Sequence, residues 1–161
     1  MGAIGIDLGT NNVLLCDKKK GIFLRQPSVV VIDRESDGVI AVGRSAQEIL
    51  ERTPSGIYAA KPIHEGKIFD PEIGSTLLRA LLKPYNLHRI AKPDFIFTVP
   101  SNISQLEERA LIEIGQSAGA RRVYLVESVL ASAIGAKMDF YKPEGRAIVD
   151  IGAGVCNIGR T

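Results

Sequence analysis

Near its N-terminus the chain reads Ile6-Asp7-Leu8-Gly9-Thr10, and near its C-terminal end it reads Val149-Asp150-Ile151-Gly152-Ala153-Gly154. In both stretches an aspartate lies near the end of an apolar, strand-like run, a glycine turn follows, and a second strand-like run comes after the turn. Glycine allows the backbone to approach an anion closely, and successive N–H groups in such turns can hold phosphate oxygens. An aspartate adds hard oxygen ligands for Mg²⁺, directly or through water. The pair predicts two turns that face each other and hold a metal-bound polyphosphate.

Each turn taken alone has a simpler interpretation. A strand, an Asx-type turn and a returning strand make an ordinary hairpin, and glycine-rich turns are common. The repetition, with the aspartate at the same place relative to its strand, favours the phosphate interpretation over the ordinary hairpin.

The composition is that of an ordinary globular domain and argues against several other classes of protein. Of the 161 residues, 45% are hydrophobic and 24% are charged, and the net charge is only +2, so charge alone predicts no nucleic-acid partner. No apolar run approaches the roughly 18 residues that a membrane-spanning helix needs. The two cysteines, Cys16 and Cys156, are too far apart in sequence for a metal motif or a disulfide framework. We therefore expect a soluble domain of the cytoplasm.

The first part of the chain predicts a set of short strands. Apolar runs at residues 3–8, 13–16, 21–25 and 28–32 are separated by short polar turns, and strands joined so closely are expected to pair antiparallel with their neighbours. From residue 33 to residue 65, polar loops separate a short strand and a short helix, which predicts a small inserted subdomain with a core of its own.

The remainder of the chain predicts alternating helices and strands. One helix begins at Asp70, an N-cap followed by Pro71, and another begins at Ser104-Gln105-Leu106-Glu107, which has capping-box form. The other expected elements are strands at 94–99, 122–126, 147–151 and 155–158 and a helix at 128–137. The β-α-β-α-β order over residues 94–151 predicts right-handed crossovers and a parallel sheet.

Further motifs lie between and around the two turns. They are Pro27-Ser28-Val29-Val30, Arg52-Thr53-Pro54, Val99-Pro100-Ser101, Glu108-Arg109-Ala110, Ala118-Gly119-Ala120-Arg121, Val123-Tyr124-Leu125-Val126-Glu127 and Ala133-Ile134-Gly135-Ala136. Together with the two turns they resemble, in order and over essentially the whole chain, the MreB family of bacterial actins. The resemblance implies an α/β fold of the actin-like ATPase (ribonuclease H-like) type, with a mixed sheet flanked by helices and a small inserted subdomain.

The resemblance also implies a division of the chain. Residues 1–32 and 66–149 are expected to form actin-like subdomain IA, residues 33–65 the small inserted subdomain IB, and residues 150–161 the start of a second actin-like domain. Family members are about twice as long, and their second domain builds most of the adenine and ribose pocket. We therefore expect these 161 residues alone to bind nucleotide weakly and to hydrolyse little of it.

By the same resemblance, particular residues are expected to bind ATP and Mg²⁺. The metal-directing aspartates are Asp7 and Asp150, and Glu107 and Asp150 are the expected catalytic residues. The phosphate loops consist of Gly9, Thr10 and Asn11 in the first turn and Gly152, Ala153 and Gly154 in the second.

Glu107 has two interpretations that do not exclude each other. In the family, the carboxylate at this position orients the water that attacks the γ-phosphate, which is sound phosphoryl-transfer chemistry. Glu107 is also the third helical residue of the capping box that begins at Ser104, a purely structural role.

The chain departs from the family pattern within both turns. The first turn continues with Asn11, Asn12 and Val13, where the family has small residues and threonine. The second turn has Ala153 in place of a glycine and Val155 in place of a threonine, which adds a methyl group and removes a hydroxyl from the expected phosphate site.

The function that the resemblance implies is an ATP-dependent cytoskeletal filament that organises cell-wall synthesis and rod shape. The expected partners are further copies of the chain and cell-shape membrane proteins, with peripheral membrane contact through Lys18 to Lys20 or the segment 83–92. The simpler interpretation of Lys18 to Lys20 is a solvated turn, and that of 83–92 is a surface connection with Leu87 and Ile90 packed inward. Two alternatives remain open. One is a degenerate, non-hydrolytic half-actin that acts as a binding module, and the other is an ATPase of the sugar-kinase or chaperone type.

Overall fold

The structure, a computed structural model, describes residues 2–52, 55–85, 92–139 and 145–160. Its strands are β1 (Ala3–Leu8), β2 (Asn12–Asp17), β3 (Gly21–Pro27), β4 (Val30–Asp33), β5 (Val39–Val42), β6 (Ile57–Ala60), β7 (Ile63–His64), β8 (Lys67–Ile68), β9 (Asp94–Val99), β10 (Val123–Glu127), β11 (Ala147–Ile151) and β12 (Cys156–Arg160). Its helices are α1 (Gly43–Glu51), α2 (Pro71–Leu82), α3 (Gln105–Ser117) and α4 (Ser128–Gly135), with a 3-10 turn at Lys83–Tyr85.

The central element is a five-stranded mixed sheet in the order β10-β9-β1-β2-β3. Strands β1, β9 and β10 run parallel, whereas the β1–β2 and β2–β3 pairs are antiparallel. One face of this sheet is buried, because buried apolar side chains alternate along β1, β2 and β9 in the manner of Ile4, Ile6 and Leu8 of β1. Helices α2 and α3 contribute to the same core, for example through Leu78 and Ile114. The mixed sheet flanked by helices agrees with the predicted fold class.

The two helices that complete the core begin where the sequence predicts. The Asp70 carboxylate accepts the backbone N–H groups of Glu72 and Ile73 at 3.0 Å each, and Pro71 is the first helical residue of α2. Helix α3 begins with the full capping box of Ser104 and Glu107. Both caps satisfy N–H groups that would otherwise lack partners, so these helices start at defined residues.

Strand β4 pairs differently from the prediction. It does not continue the β1–β2–β3 series but lies between β5 and β6 in a separate three-stranded antiparallel sheet. Its side chains are buried on both faces: Val30 and Ile32 belong to the main core, while Val31 packs with Ala46 of α1 in a second, smaller core. A strand with two apolar faces must be packed on both faces, and a position at the edge of the main sheet would not provide that packing. The division into subdomains 1–32, 33–65 and 66–149 remains a prediction.

Strand β11 also pairs differently from the prediction. It was expected to extend the parallel sheet of β9 and β10, but it forms a separate antiparallel pair with β12. A tight turn at residues 152–155 returns the chain along β11, so β12 occupies one edge of that strand. Helix α4 packs against this hairpin. The hairpin therefore repeats the β1–β2 arrangement outside the main sheet.

Two features of the sequence lie partly outside the described residues. Of the motif Arg52-Thr53-Pro54 the structure describes Arg52, and of the membrane-contact candidate at 83–92 it describes residues 83–85 and 92. Within the described ranges, no helix combines the length and the apolar character needed to span a bilayer.

Candidate functional site

The two glycine turns line the same cleft, which has a volume of about 360 Å³. All of the turn residues singled out by the sequence lie along it, namely Asp7, Gly9, Thr10 and Asn11 from the first turn and Asp150, Gly152, Ala153 and Gly154 from the second. Residues on β9, including Thr98, complete the wall between them. The structure thus brings together two segments that are far apart in sequence.

The two turns have the same backbone geometry. The N–H of Gly9 donates to the carbonyl of Asn12 at 3.0 Å, and the N–H of Gly152 donates to the carbonyl of Val155 at 2.9 Å. A Cβ atom at Gly9 would lie 3.0 Å from the Asn12 oxygen, and one at Gly152 would lie 3.1 Å from the Val155 oxygen. A side chain at either position would be tightly packed against the turn's own backbone, and the sequence repeat is a structural repeat.

The two aspartates interact electrostatically across the cleft. The surrounding protein partly desolvates the carboxylate of Asp7, and this burial is the main cause that raises its pKa. The side chain still reaches the solvent of the cleft. The hydroxyl of Thr98 donates to Asp7 Oδ1 at 3.1 Å and acts in the opposite direction, whereas the negative charge of Asp150 raises the pKa further. A cation between the two carboxylates would relieve this repulsion.

The donor set fits a magnesium ion held together with a phosphate ligand. Asp7 and Asp150 are the two carboxylates that line the cleft. In the ranges that the structure describes, no group of three or more His, Cys, Asp or Glu side chains is placed to hold a metal. Mg²⁺ suits such a sparse site, because it keeps several waters and is commonly bound by one or two carboxylates plus substrate phosphates.

A third segment, the turn between β7 and β8, joins the two glycine turns, and the sequence analysis did not identify it. The N–H of Gly66 donates to Thr10 Oγ1 at 3.1 Å. A Cβ atom at Gly154 would lie 2.7 Å from the Gly66 nitrogen, and one at Gly66 would collide with the Val155 side chain. Glu65 and Gly66 both have positive φ, as the type I′ form of a two-residue hairpin turn requires. The available signal was the residue pair Glu65-Gly66 between two short strands.

Glu107 lies next to the cleft without lining it. It borders an adjoining pocket of about 130 Å³ that shares Leu8, Gly66 and Thr98 with the cleft. Its Oε2 accepts the Ser104 hydroxyl at 2.6 Å and the Ser104 N–H at 3.0 Å. These two bonds, the hydroxyl first, hold the pKa of Glu107 below its ordinary value, with smaller contributions from the Lys67 charge and the Ile68 N–H. The capping-box interpretation is thus seen in the structure, and the water-orienting role remains a prediction.

One cation also lines the cleft, Arg25 of β3. No motif pointed to it. Its position depends on the pairing register of the sheet, in which Arg25 is opposite Leu14 and Leu14 is opposite Asp7.

Comparisons with known sequences agree with this architecture. A family model described as "MreB/Mbl protein" matches residues 1–159. The chain is 41% identical over 156 residues to the cell shape-determining protein Mbl of Bacillus subtilis (strain 168), covering 96% of this chain and 47% of Mbl. It is 38% identical over 161 residues to the cell shape-determining protein MreB of Escherichia coli (strain K12), covering 96% of this chain and 46% of MreB. The chain spans about half the length of these curated relatives.

Solved structures of actin-like proteins also share the fold of this chain. MreB5 of Spiroplasma citri bound to AMPPNP superposes with a TM-score of 0.87 at 29% identity, covering 99% of this chain and 48% of that one. The ADP-bound form of the same protein gives a TM-score of 0.86 at 28% identity over the same shares. A MamK double helical filament, at 21% identity and a TM-score of 0.80, shares the fold over 98% of this chain and 49% of its own.

Proposed function

Because the chain belongs to the MreB/Mbl family of actin-like, cell shape-determining proteins, we propose that its cleft binds the phosphate chain of an adenine nucleotide together with Mg²⁺. The observation that carries the proposal is the pair of glycine turns with equal geometry that line one cleft, each preceded by an aspartate. The solved MreB5 structures, which are bound to ADP and AMPPNP, support the choice of nucleotide.

Each part of the cleft has a role in this proposal. The free N–H groups of the two turns bind phosphate oxygens, and Asp7 and Asp150 hold the metal. Thr98 fixes the orientation of Asp7 through the hydrogen bond to Oδ1. When bound, Mg²⁺ neutralises phosphate charge and makes the terminal phosphorus more susceptible to attack by water. Glu107, in the adjoining pocket, orients that water once its carboxylate is released from Ser104.

For the whole protein, the proposed role is an ATP-dependent filament in the cytoplasm that sets rod shape, with other copies of the chain and cell-shape membrane proteins as partners. The curated relatives are named for cell shape, and MamK is named as a filament. A second candidate, a non-hydrolytic binding module, is favoured by one observation. Ala153 and Val155 leave the second turn without a side-chain hydroxyl.

Amide chemical shifts of the 161-residue chain test the proposal, because they detect weak binding. Titration with MgATP is expected to shift the amides of Gly9 and Gly152 together and with one apparent dissociation constant. Asp150→Asn should weaken both responses, because both turns depend on the same metal. Glu113→Gln, which removes one negative charge from the exposed surface of α3, should leave them unchanged. Absence of any response at both turns up to several millimolar MgATP would contradict the proposal.

A further inference from the structure

A row of side chains crosses the main sheet on the face that borders the cleft. Thr98 of β9 donates to Asp7 of β1, Asp7 pairs with Leu14 of β2, and Leu14 pairs with Arg25 of β3. Residues opposite each other on neighbouring strands project from the same face of a sheet. Because Asp7 lines the cleft, Arg25 projects from the cleft face as well, and it borders the cleft. It lies two strands from Asp7, roughly 10 Å away at the usual strand spacing.

A β-bulge in β3 places Arg25 on this face. The register of the β2–β3 pair shifts between Leu15 and Cys16, so Leu15 pairs with Leu24 while Cys16 pairs with Ile22. If Phe23 were paired with Leu15 and not bulged, the register from the hairpin turn would place Arg25 opposite Val13, whose side chain is fully buried in the core. The bulge therefore turns a cation that would point into the core toward the cleft.

Arg25 has no competing partner in the described parts of the chain. It is exposed, and no carboxylate lies within 4 Å of its guanidinium there. It also lines a groove of about 450 Å³ with Arg44, Glu48 and Glu51 of α1, but neither glutamate forms an ion pair with it. Among the described residues that line the cleft it is the one positive charge, opposite the negative charges of Asp7 and Asp150.

We propose that Arg25 binds the phosphate chain of the ligand from the β3 side of the cleft. The inference rests on the proposed function and adds to it a residue that neither glycine turn contains. A guanidinium offers a planar fork of donors that matches a phosphate group and stays charged at any physiological pH.

The chemistry of the turns explains why such a cation is needed. Val155 provides no hydroxyl, so the donors among the turn side chains are the Thr10 hydroxyl, which keeps its own proton while it accepts the N–H of Gly66, and the amides of Asn11 and Asn12. These side chains offer hydrogen bonds but no positive charge to a polyphosphate, while the two aspartates repel it when no metal is bound. Arg25 supplies the missing charge on the same face of the sheet.

Inorganic tripolyphosphate with Mg²⁺ is the probe that tests this inference, because it has the phosphate chain without the base. Its binding is followed through the Gly9 and Gly152 amides, beside a parallel titration with MgATP. Arg25→Ala is expected to weaken binding of both ligands about ten- to hundredfold, the size of a lost charge-assisted hydrogen bond. Arg25→Lys should recover part of the loss, because it restores the charge without the planar fork. Arg109→Ala removes an equal charge from the exposed surface of α3 and should change nothing.

The outcomes separate this inference from the proposed function. If both ligands bind and Arg25→Ala matches the wild type, the inference is wrong and the proposed function stands. If MgATP binds but tripolyphosphate does not, the inference is again wrong, since the phosphate chain alone is not recognised. If neither ligand binds the wild-type chain, both the inference and the proposed function are overturned.

Discussion

The two glycine turns share one local design but lie in very different surroundings. The first connects β1 and β2 inside the five-stranded sheet, where Ile6 is 1% exposed. The second connects β11 and β12 in a two-stranded hairpin, where Val149, at the equivalent position before the aspartate, is 53% exposed. Ile151 and Ile158 of the same hairpin are 79% and 73% exposed. The turn geometry therefore depends on the local sequence, whereas the stability of each turn depends on what packs around it.

The largest expected effect comes from truncating the residue before each aspartate. Ile6→Ala should lower the free energy of unfolding by about 2–5 kcal/mol, because it leaves a cavity in the main core. Val149→Ala should cost about 0.5 kcal/mol or less, because the side chain is already half in solvent. Chemical denaturation of both variants measures the difference. Equal losses of stability would show that the two hairpins are packed equally well, which would contradict the difference between their surroundings.

A smaller difference between a variant and its control should appear at the β7–β8 turn, which links the two glycine turns. Gly66→Ala combines a φ of +75° with a collision against Val155, whereas Gly56→Ala combines a φ of +84° with open space. The control should lose about 1–2 kcal/mol of stability from backbone strain alone. Gly66→Ala should lose about 1–3 kcal/mol more and should also shift the amides of Thr10 and Gly154. Equal losses, with those amides unmoved, would mean that the β7–β8 turn does not join the two glycine turns.

Substitution of Glu107 tests whether the binding site extends beyond the two glycine turns and the β7–β8 turn that joins them. Its pKa is lowered from an ordinary value of 4.5, so its charged form stabilises the fold above that value and the contribution disappears as pH falls through the lower, folded-state pKa. Glu107→Gln should cost about 0.3–1 kcal/mol at neutral pH, through the charge at the start of α3, and nothing in strong acid. The response of Gly9 and Gly152 to MgATP should stay unchanged. A lost response would make Glu107 part of the binding site.

The smallest effect concerns the repulsion between Asp7 and Asp150, the aspartates of the two turns. The raised pKa of Asp7 means that its contribution to stability is fully present below its ordinary value of 3.8 and is lost as pH rises through the higher, folded-state pKa. Asp7→Asn should therefore raise stability at neutral pH, and the gain should vanish in acid. Asp150→Asn should lower the pKa of Asp7, measured by NMR titration of its carboxyl carbon. An unchanged pKa would show that the two aspartates do not interact.

Local features of this fold could be predicted from the sequence because their partners are close in the chain. The Asp70 cap, the Ser104–Glu107 box and both glycine turns involve residues within a few positions of one another, and all appear as predicted. The assembly of the turn residues around one cleft followed from the repeated pattern of aspartate and glycine, and the mixed sheet followed from the family resemblance.

The remaining features depend on contacts between distant residues. The pairing of β4 depends on two cores that bury its opposite faces, and the separate position of β11 involves helix α4, which contacts β9 and β10 as well as the β11–β12 hairpin. The bond from Gly66 to Thr10 spans 56 positions. The place of Arg25 depends on a single bulged residue in β3, which no periodicity argument detects.

The central claim is that two turns in unlike surroundings form one metal–polyphosphate site, and paramagnetic relaxation tests it most directly. Mn²⁺ added with tripolyphosphate in place of Mg²⁺ should broaden the amide signals of Gly9 and Gly152 together, because both lie beside the same ion. Asp7→Asn and Asp150→Asn should each reduce the broadening at both turns, while Asp139→Asn, outside the cleft, should leave it unchanged. Broadening confined to one turn, or unaffected by either cleft aspartate, would contradict the claim.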